Sequence, residues 1–331
     1  MKLFTLTNAN GMKVDITNYG ARIVRLVFDG RDVVQGFNRL EDYLPENHQN
    51  DFGAVIGRYA NRLKNGRITI GGKTIQLPVN NGPNCLHGGF RGWQYSEYEV
   101  EKYDTTRLTL SMTSPDGDNS FPGTIHVQVV YELSDDNALK IHYHAVTDSD
   151  TVINMTNHSY FNLSGNPGSS IENHNLWIDA SRYTPVDEHS IPLGWHDSVE
   201  GTPMNFRLMK AVGRDIHANF QQLKIGNGYD HNCVLDTRGD LASPCAKLES
   251  DKSGIGMEVY TTQPGMQVYT GNFLDGVIGK NGIPYTFRSA ICLETQQYPD
   301  SPNNRWPEST GRLKANETFE ATTIYKFYRI S

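Results

Sequence analysis

The sequence predicts an all-β protein, a large antiparallel β-sandwich with few short helices. Three observations point there. Apolar residues recur with period two in run after run, helical periodicity is scarce, and Gly, Pro and Asn interrupt the runs at short intervals. Short strands between turns must bury their apolar faces against another sheet. A chain of 331 residues allows two domains at roughly 150 residues each, but all-β units often run larger. No biased linker, low-complexity tract or internal repeat divides the chain, so a single domain over 1–331 is the simplest account.

In chain order, the first clear strand is 20–28. RITIGGKTIQL (67–77) reads as two strands around Gly71-Gly72, a hairpin turn. Strands at 98–103 and 107–112 follow. TIHVQVVYEL (124–133) and ALKIHYHAVT (138–147) alternate cleanly. For both apolar sets to share one face, Leu133 must oppose Leu139. That register pairs Ser134 with Ala138, leaves Asp135-Asp136-Asn137 as a loop with Asn137 left-handed, and sets Glu132 beside Lys140. Further strands are expected at 152–162, 174–179, 256–262, 266–271, 289–296 and 322–330, and a short helix within 208–224.

Composition excludes several classes. Net charge is −7 and no basic stripe occurs, so no nucleic-acid or anionic-membrane partner is expected. No run approaches the ~18 apolar residues of a membrane span. The start, MKLFTLTNANGMK, lacks the features of a signal peptide. Four sparse cysteines, none in a CxxC pair, argue for reduced thiols in a cytoplasmic protein and against a cysteine-based zinc site.

Four segments place reactive polar groups within apolar or Gly-rich runs. In NGPNCLHGG (81–89), His87 precedes two glycines that let backbone approach a ligand; an ordinary turn with a surface histidine reads equally well. In NHSYFNL (157–163), His158 and Tyr160 share one side of a predicted strand. With Asn157 and Asn162 they form a polar group that is costly to bury without a use. In SAICLETQQYPDSPN (289–303), Glu294 follows Ile291, Cys292 and Leu293. Desolvation there should raise its pKa, as suits a general base. In GNGYDHNCVL (226–235), Asp230 and His231 sit where a Gly-rich turn meets a strand, weak evidence by itself because Asp is common in turns. His126, His142 and His144 fall on one face of neighbouring strands. A His-x-His metal site is conceivable, but no carboxylate or cysteine is evidently placed to complete it, and a solvated outer face is preferred.

Together these segments resemble the aldose 1-epimerase (galactose mutarotase) family. The matching motifs, in the family's order, are GRYANR (57–62), LHGG (86–89), TNHSYFNLSG (156–165), GYDH (228–231), QPGMQVYTGN (263–272) and LETQQYPDSPN (293–303). The resemblance implies the galactose mutarotase-like supersandwich and interconversion of the α and β anomers of free aldohexoses such as galactose and glucose, in hexose metabolism. It implies Glu294 as base and His158 as acid. It also implies Arg62, His87 and Asp230 as substrate binders, with Asn61, Tyr160 and Gln267 contributing. Gln263 departs from the acidic residue expected before Pro-Gly. The implied chemistry needs no cofactor and no metal, and a monomer or homodimer is expected. Deprotonating the C1 hydroxyl while protonating the ring oxygen opens the ring; rotation about C1–C2 and reclosure give the other anomer. Histidine suits the acid role because its ordinary pKa of ~6.5 gives both protonation states near neutrality.

Three other readings compete. A glycoside hydrolase would pair Glu294 with Asp230 at ~5–9.5 Å and leave both histidines idle. A sugar-binding module would keep the polar grips and platforms such as Trp93 but has no need of a desolvated Glu. An epimerase of hexose 6-phosphates needs a cationic pocket, for which only Arg58 and Arg62 lie near the motifs.

Overall fold

The alternation at 124–147 folds as Ile125–Leu133 against Ala138–Thr147, with Leu133 opposite Leu139 and Glu132 opposite Lys140. Asn137 takes φ 62° in the loop, the Ser134 N–H donates to Ala138 O at 3.0 Å, and Lys140 meets Glu132 at 3.2 Å. The apolar pattern and the turn thus set one register. The hairpin at Gly71-Gly72 forms likewise, Arg67–Ile70 against Lys73–Gln76.

The computed structural model describes residues 1–47 and 50–330. Among these, the 67–76 hairpin stands as a two-stranded sheet of its own, while the 125–147 hairpin belongs to a nine-stranded antiparallel sheet. Its order is Glu99–Tyr103, Arg107–Ser114, Ile125–Leu133, Ala138–Thr147, Thr318–Arg329, Ile255–Thr261, Ala246–Ser250, Asn175–Ile178 and Lys210–Ala211. A four-stranded sheet of Leu3–Thr7, Lys13–Thr17, Arg22–Phe28 and Arg31–Asp32 packs with it. A five-stranded sheet has the order Asp197–Ser198, Arg182–Tyr183, Asp230–Val234, Gly265–Tyr269 and Cys292–Gln296. One apolar cluster joins all three: Leu110, Val129 and Tyr143 from the large sheet, Val14 and Ile23 from the small one, and Met266, Val268 and Leu293 from the third. The architecture is a β-sandwich.

Alternation in Cys292–Gln296 decides which way Glu294 faces. Leu293 enters the shared core, and Thr295 Oγ1 meets Thr323 Oγ1 of the large sheet at 2.5 Å. The Tyr325 hydroxyl donates to Leu293 O at 3.2 Å. Glu294, between them, must face the opposite side of its sheet. Truncating Leu293 to Ala would cost about 2–5 kcal/mol, and the floor beneath Glu294 with it.

Several expectations need correction. The strand expected at 152–162 breaks into Thr151–Val152 and Thr156–Asn157, and His158 and Tyr160 lie in irregular backbone beyond it. The reason is a change of partners. The His158 N–H donates to Ala54 O, Tyr160 O accepts from Gln35 N, and Phe161 exchanges both backbone bonds with Ile291. No single ladder therefore continues. The regular strand expected at 289–296 starts only at Cys292 for the same reason. The short helix is Gln221–Gly226, which overlaps the end of the expected range and runs two residues past it, closed by Asn227 at φ 54°. Trp93 is no platform: it is 1% exposed. Arg58 is also buried, its guanidinium donating to Pro122 O, Gly123 O and Ser114 Oγ. The four cysteines are free and buried. No helix among the described residues is long and apolar enough to cross a membrane.

Candidate active site

The face of the five-stranded sheet that turns from the core is polar across three strands. Asn232 pairs with Gln267, and Gln267 with Glu294. Over this row lies a recess of ≈ 330 Å³. It is lined by Asn61, Arg62, His87, His158, Tyr160, Asp230, Gln267 and Glu294, with Asp51, Asn81, Leu86, Tyr269 and Phe273 completing the wall. The eight residues singled out in the sequence, from segments over 230 positions apart, thus border one cavity.

The loops reach it through strained backbone. Asn61 and His87 have φ of 65° and 51°, and Gly88 has φ 80°. A Cβ at Gly88 would lie 2.2 Å from Gly57 O, so only glycine allows this close crossing. The crossing holds the His87 imidazole against the Asn61 backbone, whose N–H donates to His87 Nδ1 at 3.1 Å. A neutral His87 therefore carries its hydrogen on Nε2. Burial pushes its pKa down to about 3, so near neutral pH the ring is an uncharged donor.

His158 differs. Its Nε2 lies 3.5 Å from Glu294 Oε2, with side-chain exposures of 6% and 3%. It stacks on Tyr160, ring centroids 4.9 Å apart at 14°, and meets His87 edge-on at 5.4 Å. Asn162 turns away from it and donates to Ser169 O and Ser289 O. Glu294 Oε2 and His158 Nδ1 are buried without a protein hydrogen-bond partner among the described residues. Burial pushes the Glu294 carboxyl well above its ordinary range, reinforced by Asp230 and Asp51 and opposed by Arg62. Burial pushes His158 down. Each group alone favours its neutral form, so at this separation the two share one labile proton.

The rest of the wall is held by hydrogen bonds among its polar side chains. Gln267 Nε2 donates to Asp230 Oδ1 at 2.7 Å. The Arg62 Nε donates to Asn81 Oδ1 at 3.0 Å, and its backbone N–H to Asn61 Oδ1 at 2.8 Å. Gln263 accepts from Gln297 Nε2 at 2.8 Å and does not line the recess.

Asp51 was not legible as a site residue. It is one acid in a polar stretch with no motif around it. Its carboxylate lies with the His87 and His158 ring nitrogens so that one ligand atom from each falls within 4.8 Å of the others. This set suits a metal ion poorly. His87 Nδ1 already accepts a hydrogen bond, which leaves only the protonated Nε2 to ligate. The outer histidine face, by contrast, does have a carboxylate, contrary to expectation. Glu320 of Thr318–Arg329 meets His142 Nε2 at 2.7 Å and His144 Nδ1 at 2.6 Å. Sequence reading missed it because strand pairing joins residues some 176 positions apart. A ≈ 470 Å³ recess beside it, lined by His126 and His144, holds no buried acid–base pair among the described residues.

Residues 2–326 match the profile of a family described as Aldose 1-epimerase. The chain is 43% identical over 323 residues to galactose mutarotase of Mus musculus, covering 96% of this chain and 91% of that one. It is 37% identical over 332 residues to aldose 1-epimerase of Escherichia coli K12, covering 98% and 95%. Among solved structures it is similar to an aldose epimerase homologue from C. elegans, with TM-score 0.90, 29% identity and coverage of 100% and 99%. It is also similar to galactose 1-epimerase from Lactobacillus acidophilus, with TM-score 0.86, 32% identity and coverage of 99% and 94%.

Proposed function

The chain belongs to the aldose 1-epimerase family, and from that premise we propose that it interconverts the α and β anomers of free aldohexoses such as galactose and glucose, with Glu294 as base and His158 as acid. One observation carries the assignment: the 3.5 Å separation of His158 Nε2 and Glu294 Oε2. The two oxygens that exchange protons, the C1 hydroxyl and the ring oxygen, are bonded to the same carbon. Acid and base must therefore sit side by side. A glycoside hydrolase instead holds its two carboxylates ~5–9.5 Å apart across a bond.

Glu294 takes the C1 proton, His158 gives one to the ring oxygen, and the ring opens to the aldehyde. After rotation about C1–C2, the steps reverse on the other face and both groups return to their starting states. Arg62, His87 and Asp230 hold ring hydroxyls, with Asn61, Tyr160 and Gln267 beside them, while C1 stays free to turn. His87 suits holding more than proton transfer, because burial keeps it neutral with its hydrogen fixed on Nε2. The step calls for no nucleotide or metal. The reading treats 1–331 as one domain working in the cytoplasm, supported by the core shared among three sheets and by four buried free thiols.

The test is polarimetry on freshly dissolved α-galactose and α-glucose. Accelerated mutarotation of either supports the reading. Sugar binding without acceleration, or release of the leaving group from aryl galactosides, contradicts it.

A further inference from the structure

We propose that Asp51 is a positioning residue for this reaction: its carboxylate, set beside the two imidazoles, holds the labile proton of the acid–base pair on His158 rather than on Glu294. The inference rests on the acid–base reading above and adds a third ionisable group to it.

Geometry carries the argument. Asp51 lines the recess, and its carboxylate belongs to the 4.8 Å cluster with the His87 and His158 ring nitrogens, a cluster that does not include Glu294. Its segment is tied directly to His158. The Gly53 N–H donates to His158 O at 3.0 Å, and the His158 N–H donates to Ala54 O at 2.8 Å. Gly53, at φ 67°, passes so close to Ile23 that a Cβ would lie 2.0 Å from its carbonyl oxygen. The backbone thus ties the segment that carries Asp51 to His158.

Asp51 Oδ1 is buried and has no hydrogen-bond partner among the described residues. Two cations can answer its charge. Arg22 is one: it donates to the neutral oxygens of Phe52, Gln94 and Asn50, and Asp51 is the leading charge acting on it, but a guanidinium keeps its proton. His87 is held neutral. His158 is the neighbour whose charge can change.

Asp51 raises the proton affinity of both groups, but it is the leading charge on His158 and stands behind Asp230 on Glu294; with its place in the imidazole cluster, this biases the shared proton toward His158. With the proton on His158, Glu294 is a carboxylate ready to take the C1 hydrogen and Nε2–H is ready to give one to the ring oxygen. With the proton on Glu294, both groups are in the wrong state for these roles. No proton is gained or lost between the two forms; it moves between Nε2 and Oε2. Other groups facing His158 are Asp230 and Glu294, which favour its cation, Arg22, which opposes it, and Tyr160 and Tyr269, whose phenols burial keeps protonated. Burial lowers the His158 pKa most, and Asp51 is the largest effect acting against it.

The experiment compares wild type, Asp51→Asn and Asp51→Glu by mutarotation kinetics against pH, and by NMR titration of the His158 Cε1–H in the sugar-free protein. For Asp51→Asn the expected result is kcat at neutral pH down about tenfold, a part of the ~10²–10⁴ that a general acid supplies, with KM within about twofold. The alkaline limb and the His158 midpoint should both move to lower pH. Asp51→Glu should restore them. An unmoved limb and midpoint, or a raised KM with kcat intact, would overturn the proposal, the latter because Asp51 would then be gripping a sugar hydroxyl. If the wild type shows no mutarotation, the functional reading fails instead, and the NMR titration alone still decides whether Asp51 acts on His158.

Discussion

Two regions of this molecule pair histidine with glutamate, and the closer contacts are in the solvent-exposed one. On the outer sheet face, Glu320 touches His142 and His144 at 2.7 and 2.6 Å, with side chains 34–50% exposed. In the recess, His158 and Glu294 are 3.5 Å apart and almost wholly buried. Water screens the outer trio and can replace either partner, so such pairs contribute little, typically ~0–1 kcal/mol. In the recess both side chains are almost wholly withdrawn from solvent, each group's charged form is penalised, and hydrogen-bonding atoms are left without protein partners among the described residues. Reactivity here follows desolvation and unsatisfied atoms more than the shortest distance.

Breaking the buried pair should have the largest effect. Glu294→Gln keeps shape and hydrogen bonding but cannot take a proton; kcat should fall on the order of 10² or more, read by polarimetry. The histidines come next. His158→Asn should lower kcat chiefly and abolish the alkaline limb, because an acid acts in the transition state. His87→Asn should mainly raise KM and keep that limb. The reverse pattern would mean the two roles are exchanged.

Burial raises Glu294 and lowers His158, which narrows the pH range in which carboxylate and imidazolium coexist. Activity should fall at low pH, where a second proton enters the pair, and at high pH, where the shared proton is lost. On the outer face, Glu320→Gln should leave kcat and KM within about twofold and change stability by under ~1 kcal/mol. A larger loss of activity would break the contrast between the regions. The smallest effect should come from prolonged chelation and desalting, expected to leave turnover intact. Loss with EDTA and recovery with a divalent ion would return attention to His142 and His144.

Local pattern made the sandwich legible. Period-two runs and turn residues gave the 125–147 hairpin its register, because one buried face allows only one pairing. The break after Asn157 was not legible, since it arises from backbone bonds to Ala54, Gln35 and Ile291, three distant segments. Site residues that interrupt apolar or Gly-rich runs, such as Glu294, His87 and His158, carried a signal because their burial is costly. Asp51 and Glu320 carried none. Each is an acid in a polar surrounding, and only tertiary pairing gives it a histidine. Trp93 misled for the opposite reason: an aromatic near a Gly-rich turn serves equally well as core.

The central claim is that His158 and Glu294 act as one unit on two oxygens of a single carbon. The kcat of the Glu294→Gln/His158→Asn double variant, set against both single variants, tests it most directly. Groups that work as a unit are strongly non-additive, so the double variant should lose little more than the worse single one. Losses that multiply, with the double variant reaching the product of the two, would contradict the account and mean that the two residues act independently.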